Sequence, residues 1–186
     1  MRRALALSAV LLLLGAGGAA LWWHSPPAPL TARYEPGDCR VIAVTDARTG
    51  AAVVGIEDVA AGPDGALFLS AYDRLAAETA LAEGSRPPDG GVYRLAVSAL
   101  DGAGPLRATP LIAQAAWPGG LHPHGIHRAG NALLVINRRL GAAGGARPAI
   151  LRVPLAGGAP ETVAGPAEWL CPANDLVRRG GRLLVT

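Results

Sequence analysis

A short pattern occurs three times along the chain and constrains its fold more than any other feature. Each unit reads as a short strand, a tight turn and a longer apolar strand, and the units start at Glu57, His124 and Asn174. The later part of the first two units supplies two more apolar runs. Four antiparallel strands in a repeat of about 40–50 residues is typical of a propeller blade, so the sequence predicts an all-β fold, a β-propeller of four-stranded blades.

The predicted strands are the apolar runs between turns rich in Gly, Pro, Asp and Asn. They cover 66–71, 91–97, 106–112, 132–137, 150–154, 161–164 and 182–186, and a helical segment covers 73–82. The chain thus holds about two blades and the start of a third, whereas propellers close with roughly four to eight. We therefore expect an N-terminal fragment of a longer propeller. A β-sandwich with coincidental turns is the competing fold.

The first 24 residues have the composition of a membrane segment. Arg2 and Arg3 precede an almost uncharged stretch, 4–23, and about 20 such residues can cross the bilayer as a helix. Basic flanks stay in the cytoplasm, so we expect an anchored protein whose domain is periplasmic or extracellular. A signal peptide cleaved after Ala20 is the alternative. Residues 25–33 form a Pro-rich linker, and 34–186 form the domain.

The charge of the chain argues against nucleic acid as a partner. All 17 basic residues are arginines, and the net charge is only +3. The arginines are spread along the sequence, whereas nucleic-acid binding needs a basic face.

Acidic and amide residues stand at the start of two of the three units. The pairs Glu57-Asp58 and Asn174-Asp175 would lie on innermost strands, which line the tunnel of a propeller. Their oxygens suit a hard cation such as calcium. Successive strand residues point to opposite faces, so Glu57 and Asn174 would serve one ion, and the two aspartates another. Alternatively, these residues only end strands and form turns.

Four motifs together resemble the paraoxonase/arylesterase family. They are Gly-Ile-Glu-Asp at 55–58, Leu-His-Pro-His-Gly-Ile at 121–126, Leu-Leu-Val-Ile-Asn at 133–137 and Leu-Cys-Pro-Ala-Asn-Asp-Leu-Val at 170–177. Their order and approximate separations also match, over residues 34–186 and the N-terminal half of the family. The resemblance implies a six-bladed, calcium-dependent propeller that hydrolyses esters or lactones.

The resemblance also implies two calcium ions in the tunnel. Glu57 and Asn174 match ligands of a catalytic ion, which acts as a Lewis acid on the substrate. Asp58, Asp175 and the backbone carbonyl of Ile126 match the protein ligands of a structural ion. The remaining ligands of the catalytic ion lie in the family's second half, so we expect this chain alone to be inactive.

The same comparison gives roles to a histidine and a cysteine, and it reveals one departure. His124 matches a histidine proposed to activate water as a general base. The family's second histidine falls at Arg138, which stays protonated and cannot accept a proton, so a relay between two histidines cannot operate. Cys39 matches a cysteine that bridges to one near the family's C-terminus, whereas Cys171 has no counterpart.

The leading hypothesis is a membrane-anchored hydrolase acting on a small-molecule ester or lactone. A non-catalytic propeller that binds or scaffolds is the alternative, favoured by Arg138. A relative of the gluconolactonase or strictosidine-synthase propellers would share the shape but not the chemistry. We interpret His122 and His127 as polar residues at strand edges rather than zinc ligands. Tyr72 and Asp73 are candidates for the substrate mouth.

Overall fold

The computed structural model describes residues 37, 41–101, 104–112, 120–138, 148–165, 167, 170 and 173–186. Almost half of them lie in β-strands, which form several sheets, none of them closed. This confirms the predicted all-β class of the unit Val41–Thr186. The predicted anchor, the linker and Cys39 lie outside the described residues. No helix within the described residues has the length and apolarity needed to cross a bilayer.

The first sheet has five strands. They are β1 (Val44–Asp46), β2 (Ile56–Ala61), β3 (Ala66–Ala71), β4 (Gly91–Ala96) and β5 (Leu106–Pro110). β2 to β5 form an antiparallel meander, and β1 runs parallel to β5 at its outer edge. Helix α1 (Arg74–Ala82) connects β3 to β4, and the Asp73 carboxylate accepts a hydrogen bond from Ala76 N at 2.9 Å. Asp73 therefore serves as the N-cap of α1.

The second sheet has four antiparallel strands in chain order, and a hairpin follows it. The strands are β6 (Pro123–Ala129), β7 (Ala132–Asn137), β8 (Ala149–Pro154) and β9 (Glu161–Ala164), and the hairpin pairs β10 (Leu176–Arg179) with β11 (Arg182–Val185). Gly180 and Gly181 form its turn with φ of 54° and 77°, as a two-residue type I′ turn requires. β6 contacts both β2 and β10, so the first strands of the three units lie side by side.

Most predicted strands are confirmed within one or two residues. Strands 66–71, 132–137 and 161–164 have the predicted bounds, and α1 begins one residue later than its predicted segment. The four-stranded order is confirmed for the second sheet. The first sheet differs because β1, which the sequence did not predict, adds a parallel strand at its edge.

β7 is buried on both faces, which explains its unbroken apolar sequence. Leu133 and Val135 belong to a core cluster that includes Phe68 of the first sheet. Leu134 and Ile136 point the other way, into a cluster shared with β10. Because alternate residues of a strand face opposite sides, a strand between two apolar layers needs a continuous apolar run. β7 therefore holds the second sheet between the first sheet and the hairpin.

Candidate functional site

β-Bulges occur at the starts of the first two units. On β2 the pairing with β3 shifts between Ile56 and Asp58, leaving Glu57 outside the ladder. On β6 the pairing with β7 shifts in the same way between Pro123 and Ile126. A bulge frees one residue from its partner strand and re-aims nearby side chains, and bulges are common beside active sites. His124 lies within the second bulge, so Glu57 and His124 occupy comparable positions in their sheets.

Side chains from all three units meet at His124. Its side chain is 9% exposed, and Nδ1 lies 3.1 Å from Glu57 Oε2. The Asn174 side chain, directly before β10, approaches the same imidazole closely enough to favour its protonated form. Nδ1 has no described hydrogen-bond partner of good geometry. Glu57 therefore acts on the imidazole through its nearby negative charge and not through a hydrogen bond. The three predicted residues thus surround one ring.

The two aspartates lie against adjacent residues of β6. Asp58 Oδ2 accepts a hydrogen bond from Ile126 N at 2.8 Å. The N–H and C=O of one strand residue point to the same edge, so the Ile126 carbonyl faces β2 as well. On the other side, a Cβ built on Gly125 would lie 3.2 Å from Asp175 Oδ1. Asp58 and Asp175 therefore each lie close to the stretch 125–126 of β6, which carries the Ile126 carbonyl.

The oxygen donors along β6 fit calcium by their chemistry. Among the described residues, no three His, Cys, Asp or Glu side chains lie together as a ligand group. The donors instead mix carboxylates, one amide and one carbonyl, and this combination is typical of a hard cation. The residues present fit the ions that the motif resemblance implies.

The surroundings of His124 favour its neutral form. Burial lowers the pKa of His124, and the nearby Arg138 guanidinium lowers this pKa further. Glu57 and the Asn174 side chain raise it, but less than these two effects together. A neutral imidazole has a free nitrogen lone pair. The site can therefore present a proton acceptor near neutral pH.

Tyr72 and Arg138 form the wall beside this imidazole. Tyr72 directly follows β3 and is 2% exposed. Its ring meets those of His122 and His124 edge-on, with centroids 5.8 Å and 6.5 Å away. Burial raises the pKa of Tyr72, and a hydrogen bond and charge from Arg138 oppose that rise. Tyr72, a candidate mouth residue, packs between the two histidines.

His122 lies at the edge of a strand, as the sequence analysis expected, and its side chain is buried with 1% exposure. His122 directly precedes β6 and lies under Tyr72 and the loop containing Asp89. Asn137 fixes its main chain: Asn137 Oδ1 accepts from His122 N at 2.6 Å, and Nδ2 donates to Gly120 O at 3.1 Å. The sequence analysis gave Asn137 no role, although a polar amide at the end of a buried apolar strand must find hydrogen-bond partners. His127 is half-buried within β6.

His122 predicts a pH dependence of stability. Burial lowers the pKa of His122, and Arg86 acts in the same direction. Asp89 and main-chain groups of Pro88 and Arg138 offset part of the shift. The pKa of this histidine is lower in the folded state than in the unfolded state, where it is about 6.5. At acidic pH the unfolded state therefore binds more protons than the folded state. The free energy of unfolding should therefore fall as the pH drops below about 6.5.

The test is thermal unfolding between pH 5.5 and 7.5. His122→Asn should reduce the fall in melting temperature at acidic pH, because it removes one of the groups responsible. His127→Asn, on the strand that His122 precedes, is the control and should keep the wild-type profile. Parallel profiles for wild type and His122→Asn would contradict this assignment.

Comparison with known proteins identifies no match to this chain among family models, curated proteins or solved structures.

Proposed function

We propose that the protein is a calcium-dependent hydrolase of esters or lactones, built on a β-propeller and exported behind a membrane anchor. The observation that carries the proposal is the meeting of Glu57, His124 and Asn174 at one imidazole. The four-stranded antiparallel order of the second sheet and the neighbouring first strands of the units support the propeller. The four motifs that resemble paraoxonases support the reaction.

Two groups of residues would hold the ions. Glu57 and Asn174 would hold the catalytic calcium, and Asp58, Asp175 and the Ile126 carbonyl would hold the structural one. When bound, the catalytic calcium would supply Lewis-acid polarisation of the substrate's carbonyl oxygen.

His124 would act as the general base on the attacking water. Its lowered pKa keeps the imidazole neutral and able to accept a proton. The Glu57 carboxylate lies 3.1 Å from Nδ1, where its negative charge would stabilise the imidazolium that forms when His124 accepts the proton. The Ser70 hydroxyl donates to the His124 carbonyl oxygen, which anchors the main chain of the bulge. Tyr72 restricts the ring from its edge.

Arg138 favours a second candidate, a non-catalytic propeller that binds ligands. Arginine stays protonated in proteins and cannot relay a proton. His124 would then lack an assisting base, and the same residues would bind calcium and a ligand without turnover.

Hydrolysis of phenyl acetate and δ-valerolactone by the full-length protein, with calcium and after its removal, tests both candidates. Calcium-dependent hydrolysis of either compound would support the hydrolase, and His124→Gln, which keeps the ion donors, should abolish it. Calcium binding in a titration without hydrolysis would favour the binding module. A protein that neither binds calcium nor hydrolyses these compounds would contradict both candidates.

A further inference from the structure

A cavity of about 490 Å³ lies between the first and the second sheet. Residues of β3, β4 and β5 line one wall, and the turn between β8 and β9 lines the other. Sites for small molecules usually have volumes of about 300–1,000 Å³. None of the described residues that meet at His124 lines this cavity, so it is distinct from the candidate site.

The floor of the cavity is apolar and belongs to the core. Phe68 of β3 and Leu111, directly after β5, are members of the core cluster between the two sheets, and Leu155 packs against that cluster. The Leu111 carbonyl oxygen accepts a hydrogen bond from Gly158 N at 3.2 Å, which joins the two walls on one side. The apolar part of a ligand would therefore rest on a surface that is already formed, so little ordering would accompany binding.

Strand register places a cation and a hydroxyl group beside this floor. Phe68 pairs with Arg94 of β4, and Arg94 pairs with Thr109 of β5. Directly opposed residues of antiparallel strands share one face of the sheet, so all three side chains face the second sheet. Arg94 and Thr109 are exposed and line the cavity, whereas Val92, two residues earlier on the same face, is fully buried in the core cluster. Arg94 therefore stands at the boundary between the apolar packing and the open cavity.

This combination of groups suits a carboxylate that carries an apolar body. A guanidinium presents N–H donors in a planar fork that matches a carboxylate, and the Thr109 hydroxyl can donate one more hydrogen bond. The apolar body would cover Phe68, Leu111 and Leu155, and removal of this surface from water would stabilise the complex.

We propose that this cavity binds small amphipathic carboxylates. Arg94 and Thr109 hold the carboxylate, and the apolar floor holds the rest of the ligand. Because the cavity shares no residue with the surroundings of His124, the proposal does not depend on the hydrolase function.

The test is calorimetric titration of benzoate, benzamide and acetate into the full-length protein freed of calcium. Wild type should bind benzoate more tightly than benzamide, which lacks the charge, and more tightly than acetate, which lacks the apolar body. Arg94→Gln should weaken benzoate binding about 10- to 100-fold, as expected for lost hydrogen bonds to a charged group. Arg94→Lys should recover only part of the affinity, because it keeps the charge but loses the fork.

A second variant tests the cavity without removing the charge. Ala156 is exposed and lines the cavity, so the large side chain of Ala156→Trp should occupy its volume and weaken benzoate binding as well. Arg178→Gln is the matched control, since Arg178 is an exposed strand arginine of β10 outside the cavity. His124→Gln alters the candidate site alone. Both of these controls should bind benzoate as wild type does.

Four results would overturn the proposal. They are no benzoate binding by wild type, benzamide binding as tight as that of benzoate, equal benzoate affinities of Arg94→Gln and wild type, and an equal loss in Arg178→Gln, which would indicate a general charge effect. A loss in His124→Gln without one in Arg94→Gln would place benzoate at the candidate site and would overturn it too.

Discussion

Calcium should raise the free energy of unfolding of the wild-type protein by about 2.7 kcal/mol when its free concentration is a hundred times its Kd. The gain arises because only the folded chain brings Asp58, Asp175 and the Ile126 carbonyl together along β6. Thermal unfolding with calcium and after its removal measures the difference.

Two variants separate the two proposed ions. Asp175→Ala should remove most of the calcium-dependent gain, because it deletes a carboxylate of the structural site. Glu57→Ala should leave much of the gain, since Glu57 belongs to the catalytic site. Glu161→Ala removes an exposed carboxylate and should behave as wild type. An unchanged wild-type melting temperature after calcium removal would refute the structural site. A greater loss in Glu57→Ala than in Asp175→Ala would reverse the assignment of the ions.

Gly125→Ala should destabilise the protein by about 1–3 kcal/mol, the usual cost of overpacking. A Cβ on Gly125 would lie 2.5 Å from the main-chain oxygen of Asn174 and 2.8 Å from Cα of Asp175. Neither atom belongs to a flexible side-chain end, so β6 and the segment before β10 would have to separate. That segment is tied to the end of β11 through a 2.6 Å hydrogen bond from Asn174 N to Thr186 O.

The same change should also weaken the response to calcium, because it displaces Asp175 from β6. Urea or thermal unfolding with and without calcium measures both effects. Gly104→Ala is the control, since a Cβ there meets nothing within 4 Å. Unaltered stability of Gly125→Ala would mean that β6 and the segment 174–175 do not approach as described.

The sequence predicted the strands and the helix whose bounds are set by neighbouring residues in the chain. The unbroken apolar run of β7 and the turn residues around β3 give strand bounds directly, and the N-cap Asp73 marks the start of α1. β1 was missed because its three residues pair with a strand distant in sequence. A pattern that short has no recognisable period by itself.

The repeat also brought out Glu57, His124 and Asn174 as equivalent residues, and the three do lie together. The bulges at the first two were not predicted, because a bulge depends on the register of the partner strand. The burial of His122 was missed for a similar reason. The cover over His122 comes from Tyr72 and the loop near Asp89, far away in the chain.

The parallel strand at the edge of the first sheet sets an order in time during synthesis. Val44 of β1 pairs with Leu106 of β5, so the ribosome must add the intervening residues before the pair can form. At about 5–20 residues per second, roughly 60 residues take about 3–12 s. The hairpin of β2 and β3 needs only nearby residues and can form much sooner. Until the meander is complete, β1 can therefore form only its local hydrogen bonds to residues 51–53.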